Sequence, residues 1–375
     1  VCSFAGTYLA NSSTTYQYVA SNFNISYVDG SGASGDYVKD TVTIGSSALT
    51  GQQFGIGYSS SSSEGILGIG YRLNEVWVGR NGLSPYDNVP ANMVTQGLIN
   101  SNAYSLWLND LDASTGSILF GGVDTAKFSG TLATLPIQSS LSNAEYYAEF
   151  LITLTGLTLG STKIASNARQ AVLLDSGSSL TYLPNAMTQA IYNAVGAQYD
   201  SDDGAAFVPC SLASSKEVLS YTFTSTTISV TMRELVIEIF TTSGKQLTFS
   251  DGTTACLFGI APAGSGTCVL GDTFLRSAYV VYDMANNQIS LAQTNFNATN
   301  SNVLEITTGS KSVPSATSVQ NAATATVGPV GNAIAGTVTL GVGVATSTAK
   351  AGARNLAVPV GAMLGVGAAA VYASL

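Results

Sequence analysis

The sequence predicts a mostly β protein, and three observations carry that expectation. Only 9% of the 375 residues are charged, far fewer than surface helices need to solvate their outer faces. Ser, Thr, Gly and Tyr are plentiful instead, and residues 221–230 (YTFTSTTISV) alternate hydroxyl with apolar or aromatic side chains, the pattern of a half-buried strand. Turn-forming pairs punctuate such stretches at Asp29-Gly30, Asn81-Gly82, Gly121-Gly122 and Asp251-Gly252.

Few segments read as helices. Residues 185–199 (NAMTQAIYNAVGAQY) follow Pro184 and space their apolar side chains along one face. A shorter candidate covers residues 92–96 with Leu98.

From Ala298 onward the texture changes to Ser, Thr, Ala, Val and Gly with almost no aromatics. Such a composition buries too little area of its own to offset ordering entropy, so residues 298–355 are expected to form a disordered, O-glycosylated stalk. Residues 356–375 (LAVPVGAMLGVGAAAVYASL) are uncharged throughout. As a membrane span they are long enough, but Pro359 and the glycines weaken the helix and no basic anchor follows. As a buried core helix they lack a polar face. A GPI-attachment signal fits best, with small residues near 346–348, then a short polar spacer holding Lys350 and Arg354, then the apolar end.

Charge excludes several kinds of function. The net charge is −9, from 22 acidic against 13 basic residues, and no Lys/Arg cluster offers the basic face that a nucleic acid requires. Histidine is absent altogether, which removes Ser-His-Asp and Cys-His catalysis and histidine-bearing zinc sites. Chemistry on this chain must run on carboxylates, hydroxyls or lysine.

None of the four cysteines (Cys2, Cys210, Cys256, Cys268) sits in a CxxC pair, so metal binding and dithiol redox are poor readings. Sequons at Asn11, Asn24 and Asn297 suit an oxidising secretory route. The sequence opens on Val1, without initiator Met or leader, in the manner of a fragment or a trimmed product.

The sharpest motif is AVLLDSGSSLTYLP at residues 171–184. An apolar run delivers Asp175 into a Ser-Gly turn, where the hydroxyls and backbone N–H groups of residues 176–178 can donate to its carboxylate. Taken alone, the Asp-Ser-Gly triplet reads more simply as an Asx-turn at a strand end. Its surroundings change that reading. FNISYVDGS (23–31), DTVTIG (40–45), EGILGIGY (64–71), FGGVD (120–124), VLGDTFLR (269–276), YVVYD (279–283) and ISLA (289–292) follow in order.

This ordered set resembles the pepsin-like aspartic proteases, of the fungal GPI-anchored yapsin or candidapepsin-like type, over nearly all of residues 1–297. The resemblance implies a bilobed fold with an incomplete N-terminal lobe at residues 1–135, its flap at 23–35, and a C-terminal lobe at 136–297 carrying Asp175. An internal pairing supports two related lobes: Asp175 precedes Val269-Leu270-Gly271 by about 90 residues. Ile66-Leu67-Gly68 is the equivalent element of the first half. Stepping back a similar distance from it passes Val1, and no other D-[ST]-G occurs in residues 1–135. The first catalytic aspartate is therefore expected upstream, and the chain as it stands is expected to be inactive.

By resemblance, Tyr27 caps substrate from the flap, with Asp29, Gly30 and Ser31 around it, and Gly177 and Ser178 contact the substrate backbone. Val28 stands where glycine is common in the family. Asp29 departs from the usual neutral residue, and serves either to pair with a basic substrate side chain or simply to form the turn before Gly30. Asp36, Asp40, Glu64, Asp272 and Asp283 are assigned structural roles, with Asp272 near enough to act on the site electrostatically. The resemblance also implies a Cys210–Cys256 disulfide and leaves Cys2 and Cys268 open.

The implied activity is hydrolysis of peptide bonds in acid by a water held between two aspartates. Peptides or proteins are the expected partners of a monomer without cofactor or metal, secreted and held at the plasma membrane or cell wall through a lipid anchor. The competing readings are a non-catalytic pepsin-like binding protein and a structural cell-wall glycoprotein.

Overall fold

The computed structural model describes residues 6–61, 65–81, 84–140, 145–241 and 243–329. The first element is an antiparallel meander of strands Gln17–Ser26, Gly32–Ile44 and Ser47–Ser60. Its first hairpin turns at residues 27–31, where Gly30 takes φ +82°, a value that L side chains rarely adopt. Tyr37 anchors the meander from beneath, buried edge-on against Phe23 at 5.2 Å and Trp77 at 4.7 Å between ring centroids.

A six-stranded sheet joins the two halves of the chain. In spatial order it contains Ala316–Ser318, Phe128–Pro136, Gln288–Thr294, Ala278–Asp283, Ala103–Trp107 and Ser117–Phe120. Strands from residues 103–136 thus interleave with strands from residues 278–294. All six residues of Ala278–Asp283 are buried, because both faces of the sheet are covered. Ala278, Val280 and Tyr282 enter the main core, while Tyr279 and Val281 enter a second cluster with Trp107, Leu132 and Ile306. The strand therefore lacks the alternation of a one-sided sheet.

The second half is organised on a seven-stranded sheet, in the order Thr226–Thr231, Val218–Phe223, Leu151–Leu159, Thr162–Leu174, Val269–Leu270, Thr181–Leu183 and Ile260–Pro262. The alternating stretch at 221–230 forms the hairpin of the first two, with Tyr221, Phe223, Ile228 and Val230 buried. The helix expected at 185–199 forms over Asn185–Val195 and stops at Gly196, which takes φ +72°. Tyr199 belongs instead to strand Gln198–Asp200. The shorter helix covers Val89–Thr95, capped by the Asn88 side chain and started by Pro90.

The boundary expected at residue 298 is corrected. Residues 298–329 are folded against both halves: Val303–Glu305 pairs with Gly122–Asp124, Ala316–Ser318 adds a parallel strand beside Phe128–Pro136, and Ile306, Val313 and Val327 are buried. The segment is too poor in large side chains to build a core, but it completes cores and sheet edges that already exist. The remainder of the expected stalk (330–355), the apolar tail (356–375) and Cys2 lie outside the described residues. Among the described residues no helix is long and apolar enough to cross a membrane.

Candidate active site

Asp175 sits at the end of strand Thr162–Leu174, in the middle of the seven-stranded sheet. Leu173 and Leu174 pair in parallel with Val269 and Leu270, and the Asp175 N–H donates to the Leu270 carbonyl at 3.2 Å. Leu174 is buried whereas Asp175 is only half-buried, so the strand carries its carboxylate from the core to the surface. The turn then closes around it. The Gly177 N–H donates to Oδ1 at 2.9 Å and the Ser178 hydroxyl donates to Oδ2 at 2.8 Å. A side chain at position 177 would put its Cβ 3.1 Å from Oδ1, closer than an ordinary van der Waals contact.

The closing element packs on this turn through its backbone. Asp272 N–H donates to the Ser178 carbonyl at 2.8 Å and Thr273 N–H to that of Ser179 at 3.2 Å. Approach is so close that a Cβ on Gly271 would lie 2.2 Å from the Ser178 oxygen. Asp272 begins the helical turn Asp272–Leu275, and burial pushes its carboxyl up to about 7, opposed by Arg276 and reinforced by the charge of Asp175. Burial likewise raises the Tyr104 and Tyr282 hydroxyls, to which Asp175 adds.

Behind it, Arg276 Nε donates to Glu234 Oε2 at 2.6 Å in a pair with 11% and 3% of the side chains exposed. Sequence reasoning missed this pair, whose members lie 42 residues apart in unrelated motifs.

The flap candidates form a second turn. Tyr27 N–H donates to the Ser31 carbonyl at 2.8 Å, and Gly30 N–H to that of Tyr27 at 3.1 Å. Asp29 Oδ1 accepts from the Ser31 N–H at 2.8 Å and the Ser31 hydroxyl at 2.7 Å, and these bonds hold its carboxyl below the usual range. Asp29 thus has the bonding of a turn-former, exposed at the hairpin tip beside a fully exposed Val28. Tyr27 is half-buried, and burial raises its hydroxyl. Among the described residues no hydrogen bond joins this turn to that of Asp175. A hollow of about 620 Å³ lies on the meander, lined by Phe23, Asn24, Asp36 and Tyr58 among others.

The two apolar-apolar-Gly elements differ sharply. Val269 and Leu270 are 8% and 0% exposed beside the Asp175 strand, whereas Ile66 and Leu67 are 63% and 57% exposed. Cys210 and Cys256 form a disulfide with Cα atoms 5.0 Å apart. Cys268 is a buried free thiol, raised by that burial to about 12. Asn11, Asn24 and Asn297 are exposed, and the Asn297 side chain donates to Asp110. Among the described residues no group of three or more Cys, Asp or Glu is arranged to hold a metal ion.

Residues 1–294 match the family described as "Eukaryotic aspartyl protease". The chain belongs to that family. Among its relatives, the probable aspartic-type endopeptidase opsB of Aspergillus oryzae is 56% identical over 332 residues, covering 87% of this chain and 66% of the relative. The secreted aspartic protease 8 of Candida albicans is 39% identical, covering 80% and 66%, and the acid protease of Saccharomycopsis fibuligera 38%, covering 78% and 73%. This aspartyl protease chain spans about two thirds of the length of the opsB relatives it matches. The crystal structure of the aspartic proteinase from Irpex lacteus matches with TM-score 0.64 at 24% identity, covering 79% of this chain and 87% of that one. That likeness bears on fold, and the mostly β, pepsin-like architecture of this aspartyl protease agrees with it.

Proposed function

We propose that this chain supplies most of an acid-acting aspartic endopeptidase in which Asp175 is one of two catalytic carboxyl groups. The observation that carries the reading is the delivery of Asp175 by a core strand into a turn that donates to both of its oxygens while leaving it half-exposed. A plain Asx-turn makes similar bonds, as Asp29 does; what sets Asp175 apart is its place at the end of a core strand, with its turn packed against the closing element through Leu270, Asp272 and Thr273.

The partner aspartate belongs to a strand that lies beside Ile66-Leu67-Gly68, as the Asp175 strand lies beside Val269-Leu270-Gly271. The exposure of Ile66 and Leu67 supports this, since their second-lobe counterparts are buried by just such a strand. No D-[ST]-G within residues 1–135 can fill the position, so polypeptide upstream of Val1 is the proposed source. Two adjacent carboxyls share one proton because both cannot ionise cheaply. The ionised member takes a proton from the bound water as its oxygen attacks the scissile carbonyl, and the protonated member donates to that carbonyl's oxygen. Tyr27 closes over the peptide from the flap, with residues 29–31 beside it, and Gly177 and Ser178 meet the peptide backbone. Secretion, carbohydrate on Asn11, Asn24 and Asn297, and a lipid anchor directed by the attachment signal at residues 356–375 complete the proposal.

The test is peptide hydrolysis at acidic pH by the protein made from its full coding sequence. Asp175→Asn is expected to abolish it while the melting temperature holds. Residues 1–375 alone are expected to be inactive. Turnover by the Asn variant, or by residues 1–375 alone, overturns the proposal.

A further inference from the structure

The folded segment after Asn297 touches both halves of the molecule in succession. On the first half, the Ser301 hydroxyl and Asn302 N–H each donate to the Asp124 carboxylate at 2.7 Å. The segment then pairs with Gly122–Asp124 and buries Ile306 completely. Farther on, the Ser312 hydroxyl donates to the buried Asp283 at 2.9 Å. Having paired with Leu132, Ala133 and Thr134, it crosses to the second half, where Ala323 N–H donates to Thr224 Oγ1 at 2.9 Å and Ala325 N–H to Gln138 Oε1 at 3.0 Å.

Its last residues lie on the strand that leads to Asp175. Thr326 and Val327 N–H groups donate to the Arg169 carbonyl at 3.0 and 3.1 Å, and the Ala171 N–H donates back to the Val327 carbonyl at 3.0 Å. The buried Gln170 side chain donates to the Gly328 carbonyl at 2.5 Å. Cys268 N–H donates to the Pro329 carbonyl at 2.6 Å, while the Cys268 carbonyl accepts from the Leu173 N–H at 2.9 Å. One edge of the strand Thr162–Leu174 is therefore satisfied by two different pieces of chain. Residues 327–329 cover it at positions 169–171, and residues 268–270 cover it from 173 onward, each bonded to the other at Cys268.

We infer that residues 298–329 are a clasp that couples the two lobes and holds the Asp175 strand against its closing element, with Gln170 as a positioning residue. The positioning part rests on the catalytic reading of Asp175; the coupling part does not. An edge left unpaired exposes amides that exchange through local opening, and a strand loosened five residues before a carboxylate lets that carboxylate wander from its working geometry.

The test uses the full-length protein with Val327→Asp, which places a charge at a buried position of the clasp, and with Val327→Ile as the conservative partner. Hydrogen exchange at Ala171, Leu173 and Cys268 is expected to accelerate tenfold or more in the Asp variant, with Leu154 in the neighbouring strand unchanged. For peptide hydrolysis, kcat is expected to fall at least fivefold with KM within twofold, and the Ile variant to restore both. Should Val327→Asp not fold, Gln170→Leu carries the same test by deleting the donor to Gly328. Unchanged exchange at these amides overturns the clasp, and faster exchange with unchanged kcat overturns the positioning role. Hydrolysis that survives Asp175→Asn sinks the catalytic reading separately and leaves the exchange result to decide the coupling.

Discussion

The hydroxyl of Ser178 donates a 2.8 Å hydrogen bond to Oδ2 of Asp175, three residues back along the same turn. A hydrogen bond to a charged group contributes about 1.5–3 kcal/mol. On the proposed function, Ser178→Ala in the full-length protein is therefore expected to lower kcat/KM for a peptide by about tenfold or more. The circular dichroism spectrum and melting temperature should stay close to those of the parent. Wild-type kinetics in the Ala variant would show that the bond does no catalytic work.

Burial raises two carboxyls to about 7, Asp272 from 3.8 and Glu75 from 4.5. Both bind protons more tightly folded than unfolded, so the stability they contribute is complete below the unfolded values and is lost as pH rises toward 7. Both residues are of intermediate exposure, and relaxation of solvent and protein around their carboxyls limits the effect to the order of 1–2 kcal/mol apiece. Asp40 has the opposite sign: donors from Thr15, Tyr8 and Ser13 hold it far below 3.8, so its contribution is lost only in stronger acid. The melting temperature should fall between pH 4 and pH 7, and Asp272→Asn with Glu75→Gln should flatten that slope. A slope unaffected by both substitutions would contradict this account.

Glu234 and Arg276 form a buried ion pair, in which Arg276 also donates to the Glu234 backbone carbonyl at 2.5 Å. Removing one partner strands the other charge, at a cost of about 3–5 kcal/mol. Glu234→Ala should lower the urea midpoint far more than Arg233→Ala, whose ion pair with Asp112 is exposed and contributes about 0–1 kcal/mol.

The Cys210–Cys256 disulfide spans 46 residues, and closing such a loop restricts the unfolded chain by about 4 kcal/mol. Replacing both cysteines by alanine is expected to lower the denaturation midpoint accordingly, read by urea titration, while the folded spectrum at 10–20 °C is kept.

The Asp175 turn was legible because its signal is local: an apolar run, one acid, then Ser and Gly within four residues. The hairpin at 221–230 was legible for the same reason, since one of its faces is open enough for alternation to show. Strand Ala278–Asp283 was recognisable only through resemblance, because a sheet covered on both sides erases the period of two. Residues 298–329 were misjudged on a different ground. Composition tells whether a segment can bury itself, not whether Ile306 or Val327 finds a site prepared by strands elsewhere. Arg276 and Glu234 lay beyond reach because neither residue marks the other in sequence.

Ile66 and Leu67 stand in water on a chain whose carboxylates are its main source of repulsion. As the pH falls the carboxylates lose charge until they only balance the 13 Lys and Arg, and at that point repulsion is weakest and two bare aliphatic side chains are least opposed in drawing copies together. Residues 1–375 produced by themselves are accordingly expected to self-associate near that pH, read as a sedimentation coefficient that rises with concentration.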